Sequence, residues 1–435
     1  MGFLSRYMAL ICLVGLLTGC SLISELSPSA SASPTPEPTL TPTVAISPTP
    51  EPTPSPGVRT TTLELWVPPF LNPYEPGAAG ERLTSLVRTF SDSHRDIRVR
   101  MTVKKDTGPG GLYNLLSTAA EVAPGVLPDL LILNQHDLVL AGQEGLLSPV
   151  DDEMPPDAGY FPTALSSFQT AEATWGFPYV ATADQMAYRQ GITTTAPITF
   201  TTVLSGSYSF LFPAGQSEGM GPDMLLAMYI GLGGRVIDQS GQATLDRATL
   251  EQLYAFFSDM RKVGLLNSEQ ALGLTNTEAA WAAFLEGEGD LTPVSVGSFW
   301  AEPREDVLPS WVPTEDGAPI TVLHTWGIAI VSTDPVRREA AVALMRWLVS
   351  AQNMAELARA ANLVPTRELA LSDWGTPPEG TEFLTQLLTH SVSSLPPSVD
   401  TAVRRALLAG VTALLQGQVE TPQAAASQAL TTLRR

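Results

Sequence analysis

Residues able to do chemistry are sparse and scattered along this chain of 435 residues. Its four histidines, His94, His136, His324 and His390, show no His-x-x-x-His spacing and have no cysteine beside them, so a zinc site has no local signature. There is no Gly-x-Ser-x-Gly elbow and no Gly-x-x-x-x-Gly-Lys phosphate loop. Gly231-Leu232-Gly233-Gly234 lacks the third glycine of a dinucleotide fingerprint and reads as a helix stop. Glu286-Gly287-Glu288-Gly289-Asp290 is too short for a calcium loop and reads as a solvated turn. With 44 Asp and Glu, close carboxylate pairs are expected by chance and identify no glycosidase. The expectation is therefore no metal, no cofactor and no catalytic residue. The chain does have aromatic residues in loop-like settings: Trp66, Tyr74, Trp175, Tyr179, Trp300, Trp311, Trp326 and Trp374. A flat ring can cover the apolar face of a sugar while neighbouring polar groups take its hydroxyls. Trp281 and Trp347 lie inside amphipathic helices and are assigned to the core.

The elements that would position these side chains follow from periodicity. Leu63, Leu65 and Val67 alternate as a strand, Leu83, Leu86, Val87 and Phe90 fall at helical spacing, and Ile97, Val99, Met101 and Val103 alternate again. Leu130-Leu131-Ile132-Leu133 is an unbroken apolar run suited to a buried parallel strand. Asp334-Pro335 and Thr421-Pro422 are helix starts, a capping side chain followed by proline at the first helical position. Alternating strands and helices predict an α/β fold with mostly parallel sheets flanked by helices, and a helical C-terminal region. Several of the aromatics lie just past predicted strands, where open sheets of this kind place ligands.

The first 57 residues read differently. Arg6 precedes the apolar run 8–17, too short to span a membrane, and Leu17-Thr18-Gly19-Cys20 follows. That tetrapeptide resembles the bacterial lipobox, which implies a signal peptide over 1–19 and a lipid on Cys20. Cys12 leaves with the signal peptide, so no cysteine remains for a disulfide. Residues 28–57 hold ten prolines, and Ser-Pro-Thr-Pro-Glu-Pro-Thr occurs at 33–39 and 47–53. This is the composition of an extended spacer, about 3.1 Å per residue, so 20–57 is read as a disordered tether. A formal charge of −20 argues against a nucleic-acid partner.

Across roughly 61–370 the order of short motifs resembles the extracellular solute-binding proteins of ATP-binding-cassette importers, of the sugar-binding, maltodextrin-binding-like type. The motifs are Thr62-Leu63-Glu64-Leu65-Trp66, Pro128-Asp129-Leu130-Leu131, Gly145-Leu146-Leu147-Ser148-Pro149-Val150-Asp151-Asp152 and Trp175-Gly176-Phe177-Pro178-Tyr179. They continue with Gly233-Gly234-Arg235-Val236-Ile237-Asp238, Phe284-Leu285-Glu286-Gly287, Trp326-Gly327-Ile328-Ala329-Ile330 and Val364-Pro365-Thr366-Arg367. Thr182 and Arg189 stand where the family often has Asp and Asn.

The resemblance implies a two-lobed periplasmic-binding-protein fold, with 58–180 plus 325–362 as the N-terminal lobe and 181–324 plus 363–435 as the C-terminal lobe. It implies ligand contacts from Trp66, Asn134, His136, Asp137, Tyr179, Asp184, Phe299, Trp300 and Trp326. For His136 and Asp137 a helix N-terminus with no ligand is an equal reading. The implied protein is a monomer outside the cytoplasm, held to the membrane by lipidated Cys20, that captures a mono- or oligosaccharide and delivers it to a permease. The other readings are a surface glycoside hydrolase and a sensory receptor of the same fold. No acidic pocket suited to a polyamine is visible in the sequence.

Overall fold

A computed structural model describes residues 60–154, 158–193, 195–215 and 220–435. The expected signal peptide, Cys20 and the tether lie outside the described residues. Among the described residues there are ten strands: β1 (Thr61–Val67), β2 (Ile97–Val103), β3 (Leu130–Asn134), β4 (Phe177–Thr182), β5 (Asp184–Arg189), β6 (Leu291–Ser295), β7 (Val307–Ser310), β8 (Val322–Ile330), β9 (Val364–Pro365) and β10 (Val392–Ser393).

The large sheet has the order β2-β1-β3-β8-β4-β9, with β10 pairing the start of β8, and the small sheet has the order β6-β5-β7. β1 runs parallel to β2 and β3, as the β-α-β reading requires. Beyond that point the expectation of mostly parallel sheets fails, apart from β10, which runs parallel to β8. β8 inserts antiparallel between β3 and β4, β9 is antiparallel to β4, and both pairings of β5 are antiparallel. The unbroken run of β3 is buried on both faces: Leu130 and Ile132 face one core, and Leu131 and Leu133 the other.

Two separate main cores define the lobes. One contains β1, the helix Ala78–Ser93 through Leu83, Leu86, Val87 and Phe90, and the helix Pro335–Leu348, whose N-terminus Asp334 caps at 2.9 Å from the Arg337 N–H. The other is built on the helices Asp223–Gly231, Arg247–Lys262 and Pro397–Leu415. The helix Pro422–Leu433, capped by Thr421, packs on the last two of these three. Gly233, at φ +79°, ends the turn after the helix Asp223–Gly231 in a backbone that L side chains rarely adopt, while a Cβ on Gly234 would meet the Tyr229 ring at 2.4 Å.

Packing corrects one expected boundary. Leu363, Leu371, Trp374, Leu384 and Leu388 belong to the first core, so residues 363–388 do not sit in the second lobe. Their amphipathic helices look the same whichever core they cover. The chain passes between cores at Ala183, near the start of β8, and around β10. These crossings are neighbours, because Thr182 pairs with His324 and Ser393 pairs with Leu323.

Candidate functional site

The crossings form the floor of a cleft. A cavity of about 750 Å³ opens there, lined by residues of the first lobe (Asp106, Tyr113, Asn134, Asp137), of β8 (His324, Thr325, Trp326) and of the second lobe (Asp223, Asp400). A second cavity, of about 460 Å³, adjoins it through Thr182, Met220 and Asp223, and is lined further by Asp184, Thr277, Glu278, Asn362 and Arg404.

On the first lobe, β3 ends in Asn134, whose side-chain oxygen caps the helix Gln135–Gln143 by accepting from the His136 and Asp137 N–H groups at 3.1 and 3.0 Å. The Asn134 amide donates to Asp137 at 2.8 Å. The residues past the Pro-Asp strand thus do build a helix N-terminus, and they also line the cavity. Gln135 is buried and accepts from the Thr325 N–H at 3.0 Å while donating to Ser393 at 2.7 Å, tying that helix to two crossings. His136 Nε2 lies 3.0 Å from the Ser394 hydroxyl. Burial pushes the His136 pKa down and the nearby His324 adds to the effect, which favours the neutral ring.

On the second lobe, Asp223 opens a helix and collects two cations. His324 Nε2 lies 3.1 Å from both its oxygens, and Arg404 donates to it, to Asp400 at 2.7 Å and to the Gly221 carbonyl at 3.2 Å. Burial alone would raise the Asp223 pKa, but the charges of His324 and Arg404 override it and hold the carboxyl far below the ordinary range. The reciprocal effect of Asp223 raises His324 against its own burial. Among the described residues Asp184 has no such partner. Burial, then the Asp223 charge, push its carboxyl up to about 7, and its Oδ2 accepts only a 3.4 Å contact from Thr277.

Three polar atoms at the larger cavity have no hydrogen-bond partner among the described residues: Thr325 Oγ1, Trp326 Nε1 and Asp106 Oδ1. Burial raises the Asp106 pKa and Asp137 adds to the rise. The Trp326 N–H opposes that rise, although no hydrogen bond of full geometry joins the two residues. Phe70 braces the Trp326 ring edge-on at 5.3 Å. Such a group can offer a ring face, donors and acceptors to one bound molecule. Among the described residues no cluster of His, Cys, Asp and Glu has the arrangement of a metal site.

Of the residues expected at a site, Asn134, His136, Asp137 and Trp326 line the larger cavity and Asp184 the smaller. Four others line neither. Trp66, the next-to-last residue of β1, turns into the core on the far face of the sheet, with Lys104 5.0 Å above its ring. Tyr179 is fully buried in the first core. Phe299 is buried beside Trp300, and Trp300 donates to Gln185 at 3.2 Å and lines a separate hollow of about 230 Å³ with Arg359 and Trp374. Arg189 is structural: it lies 4.4 Å over the Phe284 ring and donates to the Gly289 carbonyl at 2.9 Å. Asp106, Asp223, His324, Asp400 and Arg404 were not expected at the site from the sequence.

Two lobes around a cleft at their crossings define a periplasmic-type binding protein. The solved structures it matches include the family 1 extracellular solute-binding protein of Alicyclobacillus acidocaldarius, at 15% identity and a TM-score of 0.67 over 86% of this chain and 98% of that one. The maltose-bound MalE3 of T. maritima matches at 19% identity and a TM-score of 0.61, covering 86% and 99%. A Thermotoga lettingae transporter solute-binding protein bound with α-D-tagatose matches at 17% identity and 0.61, with the same coverage. No curated protein matches the chain in sequence. The family model of the bacterial extracellular solute-binding protein matches residues 85–379, and the chain belongs to that family.

Proposed function

We propose that this protein is a lipid-anchored receptor outside the cytoplasm that captures a saccharide between its lobes and delivers it to an ATP-binding-cassette permease. The observation that carries the saccharide reading is the larger cavity: the Trp326 face stands at a lobe crossing, beside unpartnered hydroxyl, carboxyl and indole N–H groups, with walls from both lobes. A ligand that touches both walls favours the closed arrangement over the open one, and a permease can read that difference. The maltose- and tagatose-bound structures of the same fold support the solute class. The lipobox-like Leu17-Thr18-Gly19-Cys20 supports the anchor, and the proline-rich 20–57 serves as the tether.

A thermal-shift screen tests the solute. A ligand of the folded state at about 100 times its Kd adds about 2.7 kcal/mol, so saccharides raise the midpoint and amino acids and peptides do not. Trp326→Ala weakens the best saccharide by about 1–3 kcal/mol, through lost area and stacking. Trp300→Ala, outside both cavities, leaves its affinity unchanged. Response to peptides alone overturns the saccharide assignment. For the anchor, Cys20→Ser releases the protein from membranes on cell fractionation; retention contradicts it.

A further inference from the structure

The cleft carries a charge imbalance that no local stretch of sequence displays. Six carboxylates line the two adjoining cavities. Asp223 and Asp400 are matched by Arg404 and by His324, which faces Asp223. The remaining four, Asp106 and Asp137 on the first lobe and Asp184 and Glu278 on the second, make no ion pair among the described residues. The other basic group at the cavities, His136, is favoured neutral by its burial. Neither Lys104 nor Lys105 lines a cavity, and Lys104 is held over Trp66.

Closing the lobes brings the two first-lobe carboxyls toward the two on the second lobe while removing water, and Asp184, pushed up to about 7, carries only part of its charge at neutral pH until a bound cation draws its pKa back down. A neutral solute leaves that repulsion and desolvation uncompensated, and an anion makes both worse. Independent of the acids, Thr325 lines the same cavity with its side-chain hydroxyl unpartnered and its residue only 1% exposed, a polar atom awaiting a bound group. Polar groups suited to hydroxyls at the Trp326 end, and unmatched negative charge spread over both walls, describe a solute with two chemical halves.

Building on the saccharide reading, we infer that the cleft selects a saccharide bearing a protonated amine, an amino sugar or an aminated oligosaccharide, over its neutral counterpart. The ammonium sits among the four unmatched carboxylates, and the hydroxylated ring lies against Trp326. Carboxylates also accept hydrogen bonds from neutral hydroxyls, so matched sets of ligands must separate the two cases.

Calorimetric titration of the protein at neutral pH uses glucosamine, galactosamine and mannosamine and their short oligomers. Each is paired with the parent sugar, in which hydroxyl replaces the amine, and with the N-acetyl form, which keeps the bulk and removes the charge. The expected result is at least one amino sugar bound about tenfold or more tighter than both counterparts, equivalent to about 1.4 kcal/mol. Raising the salt from low to high concentration reduces that ratio. Glu278→Gln lowers the ratio severalfold while leaving neutral-sugar affinity in place, and Asp106→Asn lowers the ratio as well. Glu278 is exposed, so its variant tests the charge without risk to the fold. A neutral or N-acetyl form that binds as tightly as its amine overturns this inference and leaves the saccharide reading intact. If no saccharide of either kind binds, the saccharide reading falls and the inference falls with it.

Discussion

Replacing Arg404 by methionine removes the guanidinium that joins the start of one second-lobe helix to the first turns of another. Its side chain is 6% exposed and serves three acceptors: Asp223, Asp400 at 2.7 Å and the Gly221 carbonyl at 3.2 Å. Methionine fills much of the same volume, so the loss is mainly electrostatic. Taking one partner from a buried ion pair costs about 3–5 kcal/mol, because the other charge is left without compensation. Asp223 keeps His324 at 3.1 Å, which places the expected loss at the lower end, about 3 kcal/mol. Equilibrium unfolding in urea near pH 7.5, followed by circular dichroism, reads it directly. Adding Asp400→Asn to Arg404→Met removes the carboxylate left without an ion-pair partner and recovers part of the loss, so the double variant is more stable than the single. A cost below about 1 kcal/mol for Arg404→Met, or a double variant less stable than the single, refutes the compensation described for this network.

Two other perturbations have definite signs. Asp184, at about 7 in the folded protein, holds a proton that the unfolded chain has released above its ordinary value of 3.8. Its contribution therefore falls as pH rises between those values, by up to about 1.4 kcal/mol per pH unit. Asp223, held low, contributes the opposite way, with stability lost only as pH falls below the ordinary carboxylate range. Asp184→Asn removes the first slope and keeps the second. Melting profiles of wild type and variant that run parallel from pH 5 to 7 count against the burial of Asp184. Gly297→Ala places a Cβ 1.8 Å from the Asn362 carbonyl oxygen, where a second-lobe helix meets the first lobe. It is expected to cost about 1–3 kcal/mol and to enlarge the radius of gyration in X-ray scattering. An unchanged radius with unchanged stability contradicts that close approach.

The readable parts of the fold were those whose pattern is local. Alternation in β1 and β2, helical spacing from Leu83 to Phe90, the doubly buried run of β3 and the Asp334-Pro335 start all correspond to the observed elements. Strand direction was not readable beyond β3, since parallel and antiparallel strands share the period of two and β8 arrives from a distant part of the chain. The site divides along the same line. Asn134, His136 and Asp137 lie next to one another in sequence, and Trp326 lies in a compact motif. The Asp223 network is assembled from His324, 101 positions away, and Arg404, 181 positions away, so no window of sequence contains it. Tyr179 and Trp66 misled for a related reason: an aromatic residue near a strand end looks the same whether it points to the cleft or to the core.

The most direct test is a crystal structure of the protein with the saccharide that gives the largest thermal shift. Density is expected in the cleft, with one sugar ring against the face of Trp326, hydroxyls within hydrogen-bond distance of Thr325 Oγ1 or Asp106 Oδ1, and contacts from both lobes. Density confined to the hollow beside Trp300 and Trp374, or against one lobe only, would contradict it.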